Sequence, residues 1–70
     1  MSNNVDRRIR VYVDGEPRGF FLGLKVRHAI GYDQARRVEK GDAMVEDGNG
    51  NRVDLDGALY NGQHLCVRTL

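Results

Sequence analysis

The sequence has one cysteine, one proline and no tryptophan among its 70 residues. The single cysteine, Cys66, excludes an intramolecular disulfide and any metal site built from several cysteines, such as an iron–sulfur cluster. Small secreted domains usually depend on disulfides, so we expect a cytoplasmic protein. No apolar run approaches the roughly 20 residues of a membrane-spanning helix, and the first residues, MSNN, lack the apolar stretch of a signal peptide.

A strong excess of one charge is also lacking, because the formal net charge at pH 7 is +1. Net charge therefore gives no argument for a nucleic-acid or membrane partner. The charges are unevenly distributed, with nine basic and five acidic residues up to Lys40 and two basic against five acidic residues after it. Any basic surface is therefore expected to come from the first half of the chain.

The length of the chain accommodates one domain, which we place at residues 6–70 after a disordered tail of residues 1–5. In the stretch RRIRVYV, apolar residues alternate with Arg8, Arg10 and Tyr12, which is the period of a strand with one buried face. A turn at residues 14–17 then makes a hairpin with the stretch RGFFLGL. The same reasoning predicts strands at residues 7–13, 18–24, 43–47, 52–55 and 64–69.

A helical segment is predicted between residues 25 and 40, since Val26, Ala29 and Ile30 have helical spacing. Gly31 weakens its middle, which leaves open either one interrupted helix or two short pieces. The side chains expected to be among the most buried are Val11, Leu22, Ile30, Val45 and Leu65.

The predicted order of elements is two strands, a helix and up to three further strands. This order predicts an α+β fold in which a mixed sheet of four to five strands packs on one helix. It is the order of the β-grasp, or ubiquitin-like, roll, in which the first strand lies parallel to the last.

Three stretches, RVYVDGEP, GLKVRHAI and VDLDGALYNGQHLCV, resemble the small sulfur-carrier proteins of thiamine and molybdopterin biosynthesis and related β-grasp domains. The resemblance covers roughly residues 7–68 and depends on strand order and on a DG to NG turn pattern before the last strand. It implies a β-grasp fold and, for a carrier, a C-terminal Gly-Gly that is adenylated and thiocarboxylated. This chain ends instead in Val67, Arg68, Thr69 and Leu70.

The stretch DGNGNRVDLDGA, residues 47–58, places acidic or amide side chains at alternate positions and raises the question of a calcium loop. An EF-hand loop requires glycine at its sixth position and glutamate at its twelfth, but these positions hold Arg52 and Ala58. Glycine and asparagine tolerate positive φ, so the pattern indicates a turn between two strands. We therefore expect no metal site here.

Catalytic residues are not predicted. His28 and His64 have no recognisable nucleophile arrangement around them, so we expect a protein that is not an enzyme and that binds no cofactor. What remains is the sheet face opposite the core. Arginine and tyrosine are enriched at protein interfaces, and the candidate partner-binding residues on this face are Arg8, Arg10, Tyr12, Phe21, His64 and Arg68.

The favoured function is a small protein-interaction module that binds another protein through this open face or through a sheet edge. The first alternative is a sulfur-carrier or modifier-like protein, as the resemblance implies. The second is an RNA-binding β-grasp domain, in which aromatic side chains stack on bases and arginines hold phosphates. A nucleic-acid partner and a membrane partner are not expected from the charge and hydropathy, and a monomer is expected rather than an oligomer.

Overall fold

The computed structural model describes residues 7–70, so the tail predicted at residues 1–5 lies outside the described part. The elements are β1 (Arg8–Val13), β2 (Glu16–Phe21), α1 (Val26–Ile30), α2 (Tyr32–Glu39), β3 (Ala43–Glu46) and β4 (His64–Thr69). The four strands form one mixed sheet in the order β2-β1-β4-β3. The two outer pairs are antiparallel and the central pair, β1 and β4, is parallel. The α+β class, the mixed sheet and the parallel central pair are therefore confirmed.

The hairpin between β1 and β2 is tighter than the sequence predicted. Asp14 and Gly15 have φ values of +51° and +87°, and Val13 pairs directly with Glu16. Two residues with positive φ form the turn that matches the right-handed twist of a hairpin, and Asp-Gly is a preferred sequence for it. The bounds predicted for the turn (residues 14–17) and for the second strand (residues 18–24) are therefore wrong, since β2 begins at Glu16 and ends at Phe21. The predicted faces of Gly19, Phe20 and Phe21 agree with the observed pairing.

The early end of β2 changes the position of Leu22, which was predicted to be in the core. Its side chain is 46% exposed, whereas the neighbouring apolar residues Phe20 and Leu24 pack against the core. The chain leaves the strand after Phe21 and turns at Gly23, where φ is +99°. Alternation therefore stops before it reaches Leu22, and the prediction for this residue is wrong.

The helical segment consists of two pieces, which was one of the two predicted possibilities. Gly31, with φ +91°, separates α1 from α2. The amides at the start of α1 are bonded by a distant segment, because Val26 N–H donates to Gly57 O (2.9 Å) and Arg27 N–H donates to Leu55 O (3.0 Å). A fixed contact between α1 and residues 55–57 therefore stabilises a helix of only five residues.

A fifth strand, predicted at residues 52–55, is not seen in residues 7–70. Arg52 forms only an isolated bridge with Glu46, and Val53 N–H donates to Val45 O (2.8 Å). The chain then turns, because Asp54 Oδ1 accepts a bond from Asp56 N–H (2.9 Å). This turn carries Leu55 into the core instead of extending the sheet. Only the first part of the predicted strand therefore follows the edge of β3.

The core lies between one face of the sheet and the two helices. Four of the five side chains predicted to be most buried are in it, namely Val11, Ile30, Val45 and Leu65. Within residues 7–70, neither helix has the length and apolar character needed to cross a membrane. The opposite face of the sheet is the one on which the candidate residues lie.

Candidate functional site

The sheet face opposite the core, called the outer face below, is formed first by β1 and β2. Along β1, Ile9, Val11 and Val13 are buried, so the alternate residues Arg8, Arg10 and Tyr12 are on the outer face. Residues paired across antiparallel strands share a face. The outer-face pairs of this hairpin are Arg8 with Phe21, Arg10 with Gly19 and Tyr12 with Pro17.

The centre of the outer face is a stacked pair of rings on the two parallel strands. Tyr12 pairs with His64, and their rings are stacked with centroids 4.6 Å apart and planes 8° apart. Each ring covers one face of the other. Tyr12 also lines a depression on the β2 side of the pair, and His64 lines a second depression on the side of the loop after β3.

The first depression is an open concavity of about 640 Å³. A Cβ added at Gly19 would meet no atom within 4 Å, so this glycine leaves open space opposite Arg10. The residues lining the depression are Arg8, Ile9, Arg10, Tyr12, Pro17, Arg18, Gly19, Asn61 and Gly62.

The wall of this depression at residues 61–62 is held by short hydrogen bonds to β1. Arg10 N–H donates to Asn61 Oδ1 (2.8 Å), and Gly62 N–H donates to Arg10 O (2.7 Å). Gln63 is 4% exposed, and its carbonyl accepts the N–H of Tyr12 at 2.8 Å. The loop before β4 is therefore fixed against β1, and the depression is formed by backbone that is tied in place.

The second depression is smaller, about 340 Å³, and shares one lining residue, Gly62, with the first. Its other lining residues are Asp47, Gly48, Asn49, Tyr60 and His64. The stacked pair therefore contributes one ring to each depression, Tyr12 to the first and His64 to the second.

In the stretch of alternating acidic and amide residues, the side chain of Asp47 is bonded within its own turn. Its Oδ1 accepts hydrogen bonds from Asn49 N–H (2.8 Å) and Asn51 N–H (2.9 Å). These bonds favour the charged carboxylate and lower the pKa of Asp47 below its usual value. Within residues 7–70, no three His, Cys, Asp or Glu side chains are grouped so that they could hold a metal ion. The carboxylate closes the turn.

Five of the six candidate residues are brought together. Arg8, Arg10, Tyr12 and Phe21 follow the β1–β2 hairpin, and His64 joins them through the stacked pair. Phe21 is 58% exposed. Among residues 7–70, the Arg10 guanidinium forms no ion pair.

Arg68 is the exception. It lies four residues beyond His64 on β4, whereas Phe21 is opposite Arg8, four residues before Tyr12. At about 3.3 Å per residue, the two are about 26 Å apart along the strand direction. Arg68 also forms an ion pair with Glu46 (3.2 Å). It therefore belongs to the opposite end of the face, near the exposed Cys66.

Sequence reasoning did not identify Pro17, Asn61 and Gly62 as part of this site. Pro17 was assigned to a turn, and Asn61 and Gly62 were noted only as a turn before the last strand. Their role depends on the register of β2 and on the hydrogen bonds between residues 61–62 and Arg10. The sequence indicated a turn at Asn61 and Gly62, but it did not indicate that this turn packs against β1.

Comparison with protein-family models, with curated proteins and with solved structures gives no match for this chain.

Proposed function

We propose that this protein is a small protein-interaction module on a β-grasp roll, and that it binds its partner through the part of the outer face next to Phe21. The fold proposal is supported by the sheet order β2-β1-β4-β3 and by the helical segment that follows the first hairpin. The proposal includes a monomeric protein in the cytoplasm, in keeping with the lone Cys66.

The observation that carries the proposal is the composition of the surface around the first depression. An exposed Phe21 lies beside Arg8 and Arg10, and Gly19 leaves an open floor between them. Aromatic and arginine side chains around a concave surface are typical of energetic hot spots at protein interfaces. Because the concavity is lined by backbone already fixed by hydrogen bonds, a partner would not need to order it on binding.

The face is favoured over the two sheet edges. At the β2 edge, Pro17 lacks an N–H for a further strand, and the charged pair Glu16 and Arg18 (3.7 Å) lies on the core side of that strand. Both features are known to discourage strand addition. The β3 edge is partly bonded by residues 52–53. Neither edge therefore offers an uninterrupted row of free backbone groups.

The sulfur-carrier alternative has less support. Leu70 N–H donates to Asp42 O (2.9 Å), and Arg37 Nη2 donates to Thr69 Oγ1 (2.7 Å). A carrier tail has to extend into the active site of an adenylating enzyme as free backbone. Thr69 and Leu70 are instead held against α2 and against Asp42, which follows α2.

The proposal is tested by partner capture from the native cell, with the double variant Phe21→Ala, Arg10→Glu. A matched control is Tyr32→Ala, Arg36→Glu, which likewise truncates an exposed aromatic side chain and reverses the charge of an arginine. This pair lies on α2, where the arginine is 5.8 Å from the ring centroid. The first variant should lose the partners that the wild type captures, and the control should retain them. Circular dichroism and thermal melting establish that both variants fold.

Two other outcomes distinguish the alternatives. Capture that is lost after nuclease treatment and falls steeply with salt would indicate the RNA-binding function. Capture of an adenylating enzyme that is indifferent to Phe21 but sensitive to changes at Leu70 would indicate the carrier function. Normal capture by a folded Phe21→Ala, Arg10→Glu variant would refute the proposed face.

A further inference from the structure

The chain contains two Asn-Gly sequences, Asn49–Gly50 and Asn61–Gly62, and the structure holds them in different ways. Independently of the proposed function, we infer that Asn49 is a site of covalent modification. Its side-chain amide is converted to a carboxyl group by reaction with the chain's own backbone and water, without an enzyme. Asn61 is protected from the same reaction by its hydrogen bonds to β1.

The reaction joins the backbone to the asparagine side chain. The backbone nitrogen of the following residue, once it has lost its proton, attacks Cγ of the side-chain amide, and ammonia leaves. The product is a cyclic imide, and water then breaks one of its two C–N bonds to give either aspartate or isoaspartate. Glycine in the following position favours the attack, because it has no Cβ to hinder the approach of its nitrogen.

At the first sequence, both reacting groups are accessible. Asn49 and Gly50 are exposed in the turn after β3, and within the described residues the Asn49 side chain forms no hydrogen bond. The attacking nitrogen donates to Asp47 O at 3.2 Å, the long end of the range for such a bond. A Cβ added at Gly50 would meet no atom within 4 Å, so the space beside it is open. The Asn49 amide is therefore free to rotate towards the nitrogen of Gly50.

At the second sequence, both reacting groups are bonded to the same residue of β1. Asn61 Oδ1 accepts the N–H of Arg10 at 2.8 Å, and Gly62 N–H donates to Arg10 O at 2.7 Å. Attack requires that Gly62 lose its proton and that the Asn61 side chain turn away from β1. Both bonds must break first, so Asn61 reacts only from a locally opened state, which is a minor fraction of the molecules.

The modification would change the loop beside His64. Asn49 and Asp47 both line the second depression, so the new carboxylate adds negative charge there. A Cβ added at Gly48 would lie 3.4 Å from Cβ of His64, which shows that this turn packs on the histidine. Isoaspartate also adds one atom to the backbone inside the turn that Asp47 Oδ1 closes by accepting the N–H of Asn51. The turn should therefore be less tightly closed after modification.

The test follows the full chain in mildly alkaline buffer, which promotes loss of the amide proton. Peptide mapping by mass spectrometry measures conversion at each asparagine, and chromatography separates aspartate from isoaspartate. In the folded chain, Asn49 should convert at least about tenfold faster than Asn61. In concentrated guanidinium chloride the two should convert at similar rates, because both precede glycine and neither keeps its bonds. Hydrogen exchange of the Gly62 amide in the folded sample measures the opening that exposes Asn61.

Two variants provide matched controls. Asn49→Gln should abolish conversion at this position, because its longer side chain would have to close a larger and less favourable ring. Asn49→Asp carries the new charge on a normal backbone, so its Asn51 amide should stay protected from hydrogen exchange, whereas the isoaspartate product should lose that protection.

The ratio of the two rates decides the inference. Conversion of Asn61 in the folded chain at a rate within about tenfold of that of Asn49 would overturn it. So would a folded chain in which Asn49 stays unchanged while the denatured chain converts. Neither result bears on partner capture through the outer face next to Phe21, which the Phe21→Ala, Arg10→Glu variant tests separately.

Discussion

The side chain of Asp14 accepts a hydrogen bond from the backbone N–H of Val67, 53 residues later in the chain, at 3.0 Å. Asp14 is also the first residue of the tight turn after β1, with φ +51°, and its own N–H donates to Leu65 O at 2.8 Å. One residue therefore ends a strand, forms the hairpin turn and extends the parallel pairing of β1 with β4 beyond the last backbone bond. A short acceptor side chain that tolerates positive φ is required for all three, which explains aspartate at this position.

Substitutions at Asp14 should separate the turn from the hydrogen bond. Asp14→Asn keeps an acceptor oxygen and tolerates positive φ, so its stability should be close to that of the wild type. Asp14→Gly keeps only the backbone conformation and should be less stable, and Asp14→Ala loses both and should be destabilised by about 1–2 kcal/mol. Chemical denaturation of the three variants gives this order; an alanine variant as stable as the asparagine variant would contradict it.

Two glycines in the hairpin provide a second matched comparison. A Cβ at Gly15 or at Gly19 would meet no atom within 4 Å, but only Gly15 has positive φ, +87°. Gly19→Ala should therefore raise the free energy of unfolding by about 0.4–1 kcal/mol, because it restricts the unfolded chain. Gly15→Ala should lower it by about 1–2 kcal/mol. Thermal melting of both variants measures these changes in stability. If both substitutions changed the stability in the same direction, backbone conformation would not explain the effect of an added Cβ.

The core prediction is tested by a buried and an exposed aliphatic residue. Ile30 is 8% exposed and Leu22 is 46% exposed. Ile30→Ala should cost about 2–5 kcal/mol, a large part of the stability of so small a domain. Leu22→Ala should change the free energy of unfolding by no more than about 0.5 kcal/mol. An unchanged melting temperature for Ile30→Ala would place the packed face of α1 elsewhere.

The turn at residues 47–51 should depend on pH through Asp47. The amides of Asn51 and Asn49 lower the pKa of Asp47 in the folded chain below the ordinary value of 3.8. The stabilisation from this carboxylate is therefore complete above pH 3.8 and is lost as the pH falls through the lower, folded pKa. The amide signals of Asn49 and Asn51 should titrate together with a midpoint below 3.8. A midpoint above that value would contradict the hydrogen-bond assignment.

Calcium should not bind specifically to residues 47–58. Oδ1 of Asp47 already accepts two backbone bonds, and the sixth and twelfth positions of the stretch hold Arg52 and Ala58. A titration with calcium followed by amide shifts should give no saturable change there. Saturation at micromolar calcium would mean that the loop rearranges to form a site.

The sequence by itself determined which residues of the first strand face the core. The alternation of Ile9, Val11 and Val13 with Arg8, Arg10 and Tyr12 depends only on the local period of a strand, and the buried and exposed residues follow it. The position of the helical segment and the break at Gly31 were accessible in the same way. Apolar periodicity and the conformational preference of glycine are local properties of a few residues. Both can therefore be identified from a single sequence.

Only the tertiary structure decided the register between the strands and which side chains meet. The Asp14–Gly15 turn set the register that places Gly19 opposite Arg10, and the end of β2 at Phe21 leaves Leu22 outside the core. The pairing of β1 with β4 stacked Tyr12 on His64 and put Arg68 at the far end from Phe21. The turn at Asp54 drew Leu55 into the core and removed the fifth strand. The pairing of β1 with β4 and the burial of Leu55 depend on segments far apart in the chain, and the hairpin register depends on the geometry of its turn. None of these is a property of local periodicity.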